Sequence, residues 1–214
     1  MQMDEFKVGK PALVCRWRLS NRALPLENRH LRALGARVLN GRPVSVQLVA
    51  WAKQHIEWTL AEGASRYPDG TLMIMVDDLG RAAMTVGPYK PLETTTTSLL
   101  AERAALSAVE SGRTGVAPET VWLVRGDELA WGVESDDTPS GAATLVRDLA
   151  QTTGFTVSRE PSLSTALLNG EAEYDEVFMV SDEHGVVPAR DALGPRSARL
   201  AEGYAKLLDS FRKH

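Results

Sequence analysis

The sequence predicts an α+β protein in two parts, and three observations carry that prediction. Strand-like and helix-like segments follow one another without the long β-α-β alternation of a doubly wound parallel sheet. Two pairs of strand-like runs are joined by short glycine turns, Leu79-Gly80 and Gly126-Asp127, which is the pattern of antiparallel hairpins. Between them lies "PYKPLETTTTS", a proline- and threonine-rich stretch that breaks the periodicity. The expected organisation is an N-terminal α+β domain over residues 1–90, a link over 91–100 and a C-terminal α+β domain over 101–214.

"PALVCRWRLS" predicts a strand with Arg16 and Arg18 on one face and Cys15, Trp17 and Leu19 on the other. "ENRHLRALGARVLNG" predicts a helix ending at Asn40-Gly41. Leu48, Ala52, Ile56 and Leu60 recur at helical spacing beside Val49, with Ser45 as the N-cap and Gly63 as the end. "TLMIMVDD" and "RAAMTVGPY" make the first hairpin, and the acidic pair Asp77-Asp78 at its tip reads as solvated. "SLLAERAALSAVESG" is helical in composition, and "ETVWLVRGDELAW" is the second hairpin. "PSGAATLVRDLAQTTG" predicts a helix entered at Ser140-Gly141 and ended at Gly154. "TVSREPSLSTALLNG" supplies a short strand and a short helix. In "YDEVFMVSDEHGVVPAR" a buried strand, Val177 to Val180, runs into the polar cluster Ser181, Asp182, Glu183 and His184 and is stopped by Pro188. A last helix starts at Pro195 and buries Leu200, Tyr204, Leu207 and Leu208.

The bulk properties exclude several classes. With 214 residues, 43% apolar and 24% charged, the chain has the composition of a globular protein. A formal net charge of −4 gives no basic footprint, so nucleic acid is not the expected partner. No apolar run approaches the roughly 18 residues of a membrane span, and "MQMDEFKVGK" has no apolar signal region, so a cytoplasmic protein without a membrane partner is expected. The single cysteine, Cys15, reads as a buried thiol. No dinucleotide, P-loop or common zinc motif occurs, and His30, His55, His184 and His214 lie far apart, so no metal is expected.

The order of segments in the second half resembles that of the class IV aminotransferases, the family of branched-chain aminotransferase, D-amino-acid aminotransferase and aminodeoxychorismate lyase. "DEVFMVSDEHGVVPA" is the best match to the family pattern, and "FTVSREPSLSTALL" keeps the spacing before it. "CRWRLSNRALPLENRHLRALGARVL" and "GTLMIMVDDLGRAAMTV" resemble the family's opening strand and helix and its next strand pair. The resemblance implies two α+β domains with a cleft between them, pyridoxal 5′-phosphate in that cleft, and a homodimer.

That cofactor chemistry requires a Schiff-base lysine, an acidic partner for the pyridinium nitrogen, and donors for the phosphate. No lysine stands between Lys90 and Lys206, which leaves Lys90 in "GPYKPLE" as the weak catalytic candidate. Glu119 is displaced from the family's acidic position, and Thr120 stands where asparagine is usual. The resemblance places the anion site at Arg32, Gly141, Ala142, Ala143, Ser181 and Asp182, with Arg29 in the place of the family's histidine. At Asp182 a carboxylate would face the phosphate, an unfavourable pairing of like charges. The expectation is a scaffold without covalent cofactor that binds or converts a small amino or carboxylated metabolite, with Arg16, Arg18 and His184 as substrate-binding candidates. Two alternatives remain open: a pyridoxal-phosphate lyase or aminotransferase that uses Lys90, and a non-catalytic dimerisation partner of a homologue.

Overall fold

The computed structural model describes residues 9–210. Its first sheet is antiparallel, in the order β1 (Pro11–Arg18), β4 (Thr71–Asp77), β5 (Ala82–Gly87). The alternation in β1 settles which face packs: Cys15, Trp17 and Leu19 are buried, Arg16 is exposed and Arg18 half-buried. On the buried face lie the helices α1 (Glu27–Gly35) and α2 (Val46–Gly63), which close a core of Leu31, Leu34, Ala52, Ile56, Leu72 and Ile74. Ser45 caps α2 by accepting the Leu48 amide at 3.1 Å, as its sequence position predicts.

Two expectations about this half are corrected. Asn40-Gly41 does not end a long helix. It is the turn of a small hairpin between β2 (Val38–Leu39) and β3 (Arg42–Pro43), with φ of 51° and 75° at the two turn residues. The helix stops at Gly35 because Arg37 turns inward, where its guanidinium meets Glu110 Oε1 at 3.0 Å and Thr114 Oγ1 at 3.3 Å.

Asp77, expected in solvent, is fully enclosed. It accepts from the amides of Gly9 (3.0 Å), Leu79 (3.0 Å) and Arg81 (2.9 Å) and from Arg81 Nε at 2.7 Å. Burial alone would raise its pKa. The Gly9 and Arg81 amides and the Arg81 guanidinium outweigh burial and bring it down to about 2. A depressed carboxyl contributes stability above its unfolded pKa of about 3.9, and that contribution fades as the pH falls through the folded value. Urea midpoints measured against pH are therefore expected to drop between pH ~4 and ~2 in the wild type, with a shallower drop in Asp77→Asn.

The second sheet has five strands in the order β10 (Thr156–Arg159), β8 (Glu128–Trp131), β7 (Glu119–Arg125), β11 (Glu176–Ser181), β12 (Gly185–Pro188). It is antiparallel except for the β10–β8 edge. One face carries Val121, Leu123, Val177 and Met179 under α3 (Thr97–Thr114) and α5 (Leu163–Leu168). The other carries Trp122, Val124, Phe178 and Val180 under α4 (Gly141–Thr152) and α6 (Pro195–Ser210). Helices on both faces explain why Val177–Val180 is an unbroken apolar run rather than an alternating one. A short parallel pair, β6 (Val116–Ala117) with β9 (Thr138–Pro139), lies beside α3.

The two halves are joined side to side. The Arg18 amide donates to the Asp182 carbonyl at 3.2 Å, Ser20 Oγ to the Leu208 carbonyl at 2.7 Å, and Arg29 on α1 pairs with Asp148 on α4 at 2.9 Å. Among the described residues no helix is long and apolar enough to cross a membrane.

Candidate functional site

The turn from β11 to β12 is built by its own side chains. Ser181 Oγ accepts the amides of Glu183 (3.2 Å) and His184 (3.1 Å), which fixes the turn locally. Gly185 closes it at φ 70°, and a Cβ there would run into the Tyr204 ring. The register of β11 on β7 sets Ser181 opposite Glu119, and the Ser181 hydroxyl donates to Glu119 Oε1 at 3.0 Å.

Around that pair the structure gathers charged groups from both halves. Arg103 of α3 donates to Glu119 Oε1 at 2.7 Å, and its Nη2 lies 3.4 Å from His184 Nε2. His184 Nδ1 lies 3.3 Å from the Tyr89 hydroxyl, and the Arg18 guanidinium sits 3.4 Å from the Tyr89 ring centre. Glu183 accepts from Thr71 Oγ1 at 3.3 Å. Since arginine only donates, the hydrogen-bond network assigns His184 Nε2 as the acceptor and Nδ1 as the protonated nitrogen. Burial lowers the His184 pKa; Glu183 and Glu119 oppose the shift, while Arg103 and Arg18 add to it. The imidazole is accordingly neutral at pH 7. Beside this cluster a pocket of about 240 Å³ is lined by Val14, Arg16, Arg103, Glu119, Ser181 and Glu183, among others.

On the other side of the same turn Asp182 is buried against the start of α4. Its Oδ1 accepts the amide of Ala142, the second residue of the helix, at 2.8 Å, and the N-cap Ser140 accepts the Ala143 amide through its Oγ at 3.3 Å. His30 of α1 packs there as well, with Nδ1 3.6 Å from Asp182 Oδ1 and its ring stacked on Trp17 at 5.0 Å. Burial acts to raise the Asp182 pKa. It is outweighed by His30, by the Ala142 amide and by Arg37, which hold the carboxyl below the usual range.

The expected site residues divide accordingly. Gly141, Ala142, Ala143 and Asp182 come together as one buried group, whereas the expected fifth member, Ser181, turns its hydroxyl to Glu119 on the other side of the turn. Arg16 lines the pocket, and Arg18 and His184 flank Tyr89. Arg32 does not join them. It lies on the exposed face of α1, and Arg29 is engaged with Asp148, so the side chain that α1 turns inward is His30. Lys90 is exposed in the connection between β5 and α3. The sequence reading missed His30, Arg37, Tyr89 and Arg103. For His30 a signal was available, because it falls on the same helical face as Leu31 and Leu34.

No family model and no curated protein matches the sequence. Solved structures do match in fold. A candidate branched-chain amino acid aminotransferase of Thermotoga maritima aligns over 97% of this chain and 92% of its own, at 15% identity and TM-score 0.60. The 4-amino-4-deoxychorismate lyase of Pseudomonas aeruginosa aligns over 91% and 90%, at 15% identity and TM-score 0.55. A hypothetical aminotransferase of Mycobacterium tuberculosis, in its PLP-bound form, aligns over 98% and 94%, at 14% identity and TM-score 0.59. The chain thus has the α+β fold of the class IV aminotransferases and aminodeoxychorismate lyases.

Proposed function

We propose that this chain keeps the class IV aminotransferase-like scaffold without covalently bound pyridoxal phosphate and binds a small amino or carboxylated metabolite in the pocket between its halves. The pocket lining carries the reading. Arg16 and Arg103 share a volume of about 240 Å³ with Glu119, Glu183 and the Ser181 hydroxyl. Guanidinium groups suit a ligand carboxylate, and the glutamates suit an ammonium or hydroxyl on the same ligand. The volume is below the about 300–1,000 Å³ of drug-sized sites, which fits a ligand of few heavy atoms. His184 stands behind this lining, with Nε2 facing Arg103 at 3.4 Å and Nδ1 facing the Tyr89 hydroxyl at 3.3 Å, and so positions Arg103 for the ligand.

The residues present do not fit pyridoxal phosphate. No lysine occurs from residue 91 to 205, Lys90 is exposed, and a carboxylate occupies the Ala142 amide where a phosphate would need it. No step is therefore routed through that group. The homodimer implied by the fold belongs to the same proposal. Leu99, Leu106 and Val109 form an exposed apolar strip on α3 that a second copy could cover, which sedimentation analysis measures.

Titration calorimetry with a panel of small amino acids and keto acids tests the proposal. A ligand is expected to bind the wild type, and Arg103→Gln to weaken it by at least about tenfold, the loss of a charge-assisted hydrogen bond. Absence of any binding in the panel, or a violet absorbance band lost on borohydride reduction and in Lys90→Ala, overturns it.

A further inference from the structure

The α4 N-terminus, Asp182 and His30 form an enclosed unit with an unusual balance. The first turn of a helix presents amides that favour an anion, and phosphate is a common occupant. Here the anion is supplied by the chain itself: Asp182, 3% exposed, accepts the Ala142 amide at 2.8 Å. The place is also fitted around an anion from a second direction. His30, 1% exposed, aims Nδ1 at it from 3.6 Å, and that nitrogen has no hydrogen-bond partner. Its neighbours are small, with Gly141, Ala142 and Ala143 all buried and a Cβ on Gly141 falling 2.5 Å from His30 Nδ1. The backbone of Asp182 is held twice over, its amide donating to the Pro118 carbonyl at 3.2 Å and its carbonyl accepting the Arg18 amide at 3.2 Å, so the carboxylate is delivered by a fixed turn.

We propose that Asp182 is a built-in anion that keeps a phosphate-type site at the α4 N-terminus closed, and that shortening this side chain opens the site to phosphate. The site retains what a phosphate needs, namely a helix N-terminal amide, the unpartnered His30 nitrogen and small residues around them. What bars the ligand is the resident carboxylate, through its volume and its like charge. The inference rests on the proposed absence of pyridoxal phosphate, yet it fails separately, because it concerns inorganic phosphate and not a Schiff base.

The experiment compares the full-length wild type, Asp182→Ser and Asp182→Asn, with inorganic phosphate as the probe. Thermal unfolding and the amide NMR signals of Ala142 and Ala143 are followed as phosphate is added at neutral pH. Asp182→Ser is expected to bind phosphate at least ~10-fold more tightly than the wild type and to shift both amide signals. Asp182→Asn still fills the space and still offers an oxygen to Ala142, so it is expected to resemble the wild type. A folded Asp182→Ser that binds no better than the wild type overturns the proposal. If Asp182→Ser is unfolded alone, folding on addition of phosphate supports the proposal and failure to fold with phosphate overturns it. Phosphate-dependent shifts of Ala142 in the wild type itself also overturn it.

Discussion

Trp122→Ala is expected to destabilise the protein by about 3–5 kcal/mol, the range for removing a fully buried large aromatic side chain. Trp122 has no exposed surface and sits at the centre of the second sheet. Its ring stacks on Trp131 at 4.8 Å and on Phe178 at 5.9 Å, so its removal leaves two aromatic faces without contacts. It also breaks a shared hydrogen bond: the indole nitrogens of Trp122 and Trp131 both donate to Thr120 Oγ1, each at 3.1 Å. Against a typical total of about 5–15 kcal/mol this is a large fraction, and urea denaturation followed by circular dichroism measures it. A loss below about 1 kcal/mol would mean that the aromatic stack is not the centre of this core.

Gly141→Ala is the second large effect, and its sign is opposite to the usual one. At an ordinary helical position alanine is better than glycine by about 1 kcal/mol. Here a methyl group would fall 2.5 Å from His30 Nδ1 and 3.1 Å from the His30 backbone nitrogen. The ring cannot swing away freely, because it is stacked on Trp17, and the backbone nitrogen belongs to α1. Overpacking of this kind costs about 1–3 kcal/mol, so a net loss is expected, with α1 and α4 pushed apart. Since α1 belongs to the first half and α4 to the second, amide exchange should rise in both at once. Stabilisation of the protein by Gly141→Ala would contradict the close approach.

The elements that local patterns determine were legible in the sequence. The alternation of Cys15, Trp17 and Leu19, the spacing of Leu48, Ala52, Ile56 and Leu60, and the hairpin turns at Leu79-Gly80 and Gly126-Asp127 all correspond to elements of the fold. The family resemblance carried the fold further than periodicity could, and the solved structures support it at the level of fold. What stayed hidden depends on partners far away in the chain. Nothing near Arg37 announces that it leaves its helix to meet Glu110, 73 residues later. Asp77 resembles any acidic hairpin tip until Gly9 arrives from 68 residues earlier. In α1 the motif comparison favoured Arg29 and Arg32, whereas helical geometry turns His30 inward and leaves Arg32 in solvent. Arg103 was out of reach for a different reason: its role is defined by Glu119 and His184, which only the pairing of β7 with β11 brings beside α3.

The Asp182 carboxylate is part of the chain, and this gives it a property that a dissolved anion lacks. Its concentration at the Ala142 amide does not depend on the surroundings. Even a flexible tether supplies an effective concentration on the order of millimolar, and a side chain on a fixed turn exceeds a loose tether. A dissolved competitor must outcompete that fixed local concentration before it can displace the carboxylate. The junction between α1 and α4 therefore keeps its ionic balance whether dissolved anions outside are scarce or abundant.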